Sequence, residues 1–207
     1  CVVFVRRCRT VRYTLDYQTI NSSPSPTLWV VDNFYQDPMA VREFALTQEF
    51  NFSDYHRGRR TEDQFEIPGT KEAFENVMGV KISHWMETHG MCGRFQHCTC
   101  EDALVYHADA QTWAATVYLT PDAPYECGTS LLAHKKTGIR HVNTEGSDVI
   151  WANKHLDPTP WDHIDVIANV FNRLVIWDAK CPHTASKYFG YDKYDSRLFH
   201  MFFFDAE

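Results

Sequence analysis

The sequence predicts an α+β fold, mainly β: a jelly-roll-like pair of sheets braced by N-terminal helices. Three observations carry this. Helical periodicity dominates the first half of the chain, short β-branched and aromatic runs make up most of the second half from about residue 92, and Pro, Gly and Asp turns separate those runs. A length of 207 residues with 44% hydrophobic and 14% aromatic content suits one compact domain.

The elements follow in order. Residues 1–27 read as a tail, or a non-native leader and linker. Cys1-Val-Val-Phe-Val5 precedes its arginines, the reverse of signal-peptide order, and Asn21-Ser-Ser-Pro-Ser-Pro-Thr27 favours turns. The folded domain is expected over 28–207. Residues 28–31 form a short strand, and Asp37-Pro38 supplies an N-cap and a first-turn proline for a helix over about 38–48. Met39, Val41, Phe44, Ala45 and Leu46 form its core-facing stripe. The basic cluster Tyr55-His-Arg-Gly-Arg-Arg60 is a loop, and 70–89 holds one or two helices interrupted near Gly79. Strands are expected at 103–107, 112–120, 129–134, 148–151, 173–178 and 196–204, with one helix among them, from Trp161 to Asn172.

Charge and cysteine content exclude several classes. The formal net charge is −7 although Arg6, Arg7, Arg9 and Arg12 crowd the N-terminus, so the domain itself is more acidic still and disfavours nucleic acid as a partner. No apolar stretch reaches the roughly 18 residues of a membrane span. Seven cysteines, an odd number in a chain this large, argue against a complete disulfide framework and for a reducing compartment, the cytoplasm. Cys92, His97, Cys98 and Cys100 fit no standard zinc spacing and are read as free thiols or one local bridge.

The chemistry centres on His107-Ala-Asp109. Residues i and i+2 of an extended chain project to one side, so this imidazole and carboxylate can meet one ion. His183, after the apolar run Leu174-Val-Ile-Trp177 and a turn at Pro182, is the expected third ligand. Two imidazoles and a carboxylate on one face, with the opposite face open, make the ligand set of non-haem Fe(II) oxygenases. Alone the pair says little in a chain with 11 histidines. His163-Ile-Asp165 spells the same pattern inside the expected helix, where i and i+2 do not face each other.

The surrounding residues carry more. His107-Ala-Asp109, Trp113-Ala-Ala-Thr-Val-Tyr-Leu119, Pro121-Asp-Ala-Pro124, Gly128-Thr-Ser-Leu131, Asn172-Arg-Leu-Val-Ile-Trp-Asp178, His183-Thr-Ala185 and Ser196-Arg-Leu-Phe199 follow one another as in the 2-oxoglutarate and Fe(II)-dependent dioxygenase superfamily, which residues 92–204 resemble. The stretch Phe171-Asn-Arg-Leu-Val175 looks like a prolyl-hydroxylase-related, uncharacterised bacterial and phage-type branch. The resemblance implies a double-stranded β-helix (jelly roll, cupin-like) and the cofactors Fe(II), 2-oxoglutarate and O2, with ascorbate as reductant in assays.

It further implies His107, Asp109 and His183 as metal ligands and a last-strand cation for the far carboxylate of 2-oxoglutarate. The family's usual count lands on Lys193, within the polar run Tyr191-Asp-Lys-Tyr-Asp195. Arg197 is preferred, because Leu198, Phe199 and Met201 put it on a buried strand where an unpaired cation is costly. An ion pair with Asp178 or Asp195 is the structural alternative. Thr184, Ser196 and Tyr118 are candidate hydroxyl partners of the same carboxylate. Retention of Asp109, which halogenating members replace by a small residue, favours hydroxylation.

The implied reaction oxidises a C–H bond of an amino acid, a peptide or protein side chain, or a small metabolite, with succinate and CO2 as co-products. The regions 55–60, 134–141 and 153–161 could border the substrate. The alternatives are a nucleic-acid base oxygenase or demethylase on the same fold, and a non-catalytic metal-binding β-barrel module.

Overall fold

The computed structural model describes residues 26–53, 57–143, 150 and 155–207. Most of the leader, residues 55 and 56 of the basic loop, most of the strand expected at 148–151, and residues 153 and 154 lie outside them. The elements run β1 (Leu28–Val31), α1 (Pro38–Thr47), β2 (Asn51–Phe52), β3 (Arg59–Arg60), α2 (Thr70–Met78), β4 (Ile82–His84), β5 (Arg94–Cys98), β6 (Trp113–Tyr118), β7 (Thr129–His134), β8 (Trp161–Ile167), β9 (Leu174–Asp178), β10 (His183–Ala185) and β11 (Arg197–Ala206). They build two antiparallel sheets. The larger has the order β1-β9-β6-β11-β5-β3-β2, with β4 also on β11; the smaller is β10-β7-β8.

Strand alternation divides the larger sheet into two faces. Ala115, Val117, Leu174, Ile176, Phe202 and Phe204 pack with Val41 and Ala45 of α1, Phe74 of α2 and Trp85. Residues of opposite parity, among them Tyr118, Val175, Trp177, Phe199 and Met201, join Leu131 and Ile167 of the smaller sheet. The helices thus cover one face, and the other is left to enclose a site.

The Asp37 side chain accepts from the Ala40 N–H at 2.9 Å, with Pro38 in the first turn, as the Asp-Pro pair predicts. Its buried face is Val41, Arg42 and Ala45, whereas Met39 and Phe44 of the expected stripe are exposed. Arg42 is buried because its guanidinium donates to the carbonyls of Leu119 (2.8 Å) and Tyr194 (2.6 Å), which a reading of apolar periodicity misses.

One expectation is narrowed and two are corrected. Over 70–89 only α2 forms: Gly79, at φ 72°, caps it in the left-handed region, and the chain then pairs as β4 with the end of β11. The segment expected as a helix from Trp161 to Asn172 begins instead as strand β8, paired with β7 from Thr129↔Ile167 to His134↔Trp161; Ile164, Val166 and Ile167 suit a strand, and sheet pairing overrides the helical pattern. His163 and Asp165 therefore do share a strand, contrary to the argument that set them aside, but both are exposed. Residues 103–106 join no ladder, and the backbone pairs only at the bridge His107↔His183.

A buried histidine supplies the first testable consequence. His200 Nδ1 pairs with the Tyr35 hydroxyl at 2.8 Å, and Nε2 faces the carbonyls of Phe65 and Gly93 at 3.0 and 3.1 Å. The neutral ring satisfies this set, donating through Nε2 and accepting at Nδ1. Burial pushes its pKa down to about 4 from 6.5. The unfolded chain takes up this proton near its ordinary pKa while the folded chain does not, so stability is lost as pH falls from about 6.5 towards 4. Urea denaturation of metal-free protein at about pH 6.5 and about pH 4.5 is expected to show a loss of about 2 kcal/mol from this group. That increment is absent in His200→Leu.

Candidate metal centre and its cavity

His107 and His183 are brought together by their own backbones. The His107 N–H donates to the His183 carbonyl at 3.1 Å and the His183 N–H to the His107 carbonyl at 2.7 Å, and the two ring centroids lie 4.3 Å apart. Asp109 is pinned by its N–H on the Ala179 carbonyl at 2.8 Å, while Lys180 Nζ donates to its carbonyl. One ligating atom from each of His107, Asp109 and His183 lies within 4.8 Å of the others. Asp109 Oδ1 is 3.6 Å from His107 Nε2, and Oδ2 is 3.2 Å from His183 Nε2.

The second nitrogens decide what this cluster can hold. His107 Nδ1 sits 3.1 Å from the Val105 carbonyl, and His183 Nδ1 sits 2.9 Å from the Cys181 carbonyl. A carbonyl can only accept, so each Nδ1 carries the proton and each neutral ring turns its Nε2 lone pair inward. Burial, then the neighbouring His183, push His107 down to about 4. Burial alone would raise Asp109, but positive charge on the imidazoles when they are protonated, His183 first, and the Arg60 guanidinium outweigh it and hold the carboxyl below its usual range. Asp109 Oδ2 is buried without a hydrogen bond. Lone pairs converging beside a buried anion need a cation among them, and two imidazole nitrogens with one carboxylate oxygen suit a first-row divalent metal.

The triad opens into a cavity of about 610 Å³. Arg197, 4% exposed, lines it. Its Nε donates to the Cys127 carbonyl at 3.0 Å, and Nη2 to the Gly128 carbonyl and Thr129 Oγ1 at 3.3 Å each. The guanidinium also lies 4.4 Å from the Phe199 ring centroid. No carboxylate among the described residues pairs with it. Asp178 is bonded by His141 and by the Lys180 N–H, and Asp195 by the N–H groups of Tyr191 and Asp192. Lys193 lies elsewhere, on the carbonyls of Leu46 and Gln48.

The three hydroxyl candidates separate. Thr184 lines the cavity with a buried Oγ1 that lacks a partner. Tyr118 stands outside the lining and hydrogen-bonds at 2.8 Å to Thr129 Oγ1, the atom that accepts from Arg197. Ser196 also stands outside it, with Oγ 3.2 Å from His97 Nδ1.

Sequence reasoning passed over Thr116 and Trp177, whose Oγ1 and Nε1 are further buried polar atoms without partners on the cavity wall. Their parity relative to Tyr118 and Val175 was the available signal. It also left Arg60 undistinguished within the basic loop, although β3 turns it into the cavity. Among the described residues Cys92, Cys98, Cys100, Cys127 and Cys181 are free thiols, the first of the two expected alternatives. No helix among the described residues is long and apolar enough to cross a membrane.

No protein-family model matches the sequence, and no curated protein matches it. Solved structures do match. HygX from Streptomyces hygroscopicus, with nickel and 2-oxoglutarate bound, is similar at TM-score 0.51 and 10% identity, over 85% of this chain and 81% of that one. A prolyl hydroxylase from Trichoplax adhaerens, in complex with a hypoxia inducible factor peptide fragment, gives TM-score 0.51 and 13% identity over 86% and 84%. An oxidoreductase of the 2OG-Fe(II) oxygenase family from Burkholderia pseudomallei gives TM-score 0.51 and 8% identity over 86% and 84%. At these identities the likeness speaks for architecture, and the chain has the fold of the 2OG-Fe(II) oxygenases.

Proposed function

We propose that this chain is a non-haem Fe(II) and 2-oxoglutarate-dependent dioxygenase, a hydroxylase whose catalytic domain is a double-stranded β-helix over residues 28–207. The carrying observation is the convergence of two Nε2 lone pairs and the orphaned Asp109 Oδ2 in one cavity with a buried arginine that has no acidic partner. HygX, with its nickel and 2-oxoglutarate, supports the same pairing of metal and co-substrate here. Bound together, Fe(II) and 2-oxoglutarate would supply, with O2 as the oxidant, hydroxylation of a C–H bond coupled to release of succinate and CO2, one oxygen atom going to each of the hydroxylated product and succinate.

The protein's own residues bind and orient. His107, Asp109 and His183 hold the metal from one side. The Val105 and Cys181 carbonyls fix both imidazole tautomers. Arg197 offers a planar fork to the far carboxylate of 2-oxoglutarate, with the Thr184 hydroxyl as a further donor and Tyr118 stationed behind Thr129. The peptide complex of the T. adhaerens enzyme supports a peptide or small-molecule substrate over a nucleobase. Free thiols at the five described cysteines support a reducing compartment such as the cytoplasm.

The test is succinate formation by purified protein given Fe(II), ascorbate and 2-oxoglutarate under air. Turnover is expected in the wild type and absent in His107→Ala. Equal turnover in both, or no Fe(II) binding by either, overturns the reading.

A further inference from the structure

Besides Arg197, two further arginines, Arg57 and Arg60, line the cavity, and neither is needed to hold the metal or the co-substrate. Arg60 lies on β3, whose register puts it opposite Gln96 of β5; Gln96 in turn pairs with Phe199 of β11, and Phe199 with Tyr118 of β6. Residues opposite one another share a face, so Arg60 belongs to the same inward row as Phe199, and Phe199 lies two residues from Arg197. Strand spacing puts the Arg60 Cα about 10 Å from that of Phe199, two strands away on the same face of the sheet, so it does not sit beside Arg197.

Its surroundings prepare it as a donor. Gln96 is buried, and its amide nitrogen is held by the Arg57 carbonyl at 2.9 Å and by Cys98 Sγ at 3.2 Å. That aims Gln96 Oε1 at Arg60 Nε, 2.6 Å away. The other contact of the guanidinium is neutral too, Nη1 to Met91 Sδ at 3.6 Å. No carboxylate among the described residues pairs with Arg60, although it is half-buried and lines the cavity. A cation withdrawn from water and oriented by a held amide, with neutral hydrogen-bond partners and the Asp109 carboxylate acting on it only through space, has a fork left for an anion. Around it Met91, Leu156, Phe199, Met201 and Phe203 present apolar surface.

We propose that Arg60 is the substrate-anchoring residue, and that the substrate is an acid: an apolar body carrying a carboxylate that Arg60 binds while the body lies across the cavity towards the metal. This rests on the function proposed above, because Arg197 is then reserved for 2-oxoglutarate. Arg60 touches substrate and sets specificity, and Gln96 positions it. A guanidinium fork gives direction that a lysine would not.

The test uses full-length protein and three probe acids, butanoate, hexanoate and 3-phenylpropanoate, each against its amide, titrated calorimetrically into protein holding Mn(II) and 2-oxoglutarate. At least one acid is expected to bind the wild type tenfold or more tightly than its amide. Arg60→Gln removes that preference and leaves 2-oxoglutarate affinity within twofold, while Arg60→Lys retains part of it. Thermal melts of both variants report that the fold is intact.

Failure of the parent reading is seen separately, as absent binding of Mn(II) and 2-oxoglutarate. In that case the same titrations in Arg197→Gln still isolate Arg60. Equal binding of acids and amides, acid binding untouched by Arg60→Gln, or acids that only displace 2-oxoglutarate would each overturn the proposal.

Discussion

Replacing Asp109 by alanine lowers divalent-metal affinity at least about 100-fold and abolishes succinate formation, yet leaves the metal-free protein as stable as the wild type or more so. The two halves have one cause. Asp109 is buried, and its Oδ2 has no hydrogen bond. In the metal-free protein the only compensation for that carboxylate is through-space, from His183, His107 and Arg60, so removing it together with its desolvation cost changes stability little. With metal, the same oxygen is a ligand. Wild-type protein at metal concentrations about 100 times Kd therefore gains about 2.7 kcal/mol of stability, and Asp109→Ala gains almost none. Thermal melts with and without Mn(II) measure both. A variant markedly less stable without metal would make Asp109 a structural residue.

Gly128→Ala is the second large effect, and it strikes the co-substrate end. A Cβ at Gly128 would collide with the Ile167 carbonyl and approach the Asn169 N–H to 2.9 Å. Those atoms are backbone, where β8 runs against the start of β7, and they cannot rotate away. The clash also moves the segment that positions Arg197, since the Cys127 and Gly128 carbonyls and Thr129 Oγ1 accept its three hydrogen bonds.

About 3 kcal/mol of stability is expected to be lost, with 2-oxoglutarate affinity falling tenfold or more while the metal ligands remain in place. Gly90→Ala is the control: nothing lies within 4 Å of a Cβ there. Urea denaturation and calorimetric titration of 2-oxoglutarate compare the two. Normal co-substrate affinity in Gly128→Ala would separate Arg197 from 2-oxoglutarate recognition.

The parts legible in the sequence are those whose signal is local. Asp37-Pro38 announced α1 because a cap is a contact over three residues, and Leu174 to Asp178 read as a strand because a doubly covered strand is apolar throughout. His107 and Asp109 were visible because i and i+2 meet on any extended chain. The parts that were not legible depend on distant partners. β8 has an exposed middle between buried Trp161 and Ile167, a pattern that gains meaning only beside β7. His107 is extended because His183 bonds it across the chain, not because residues 103–106 favour a strand. Arg60 looked like a solvated loop charge, since two-residue β3 exists only through its pairing with β5 and β2. The roles of Arg42 and Gln96, buried polar side chains spending their donors on remote carbonyls, leave no periodic trace.

The most direct measurement is an anaerobic titration of the protein with Fe(II) and 2-oxoglutarate, followed by visible absorption. A charge-transfer band is expected only when both are present. His107→Ala lacks the band altogether, and Arg197→Gln develops it only at raised 2-oxoglutarate concentration. A wild-type protein that shows no band at saturating Fe(II) and 2-oxoglutarate would contradict the account, because the triad and Arg197 would then not converge on a shared chelate.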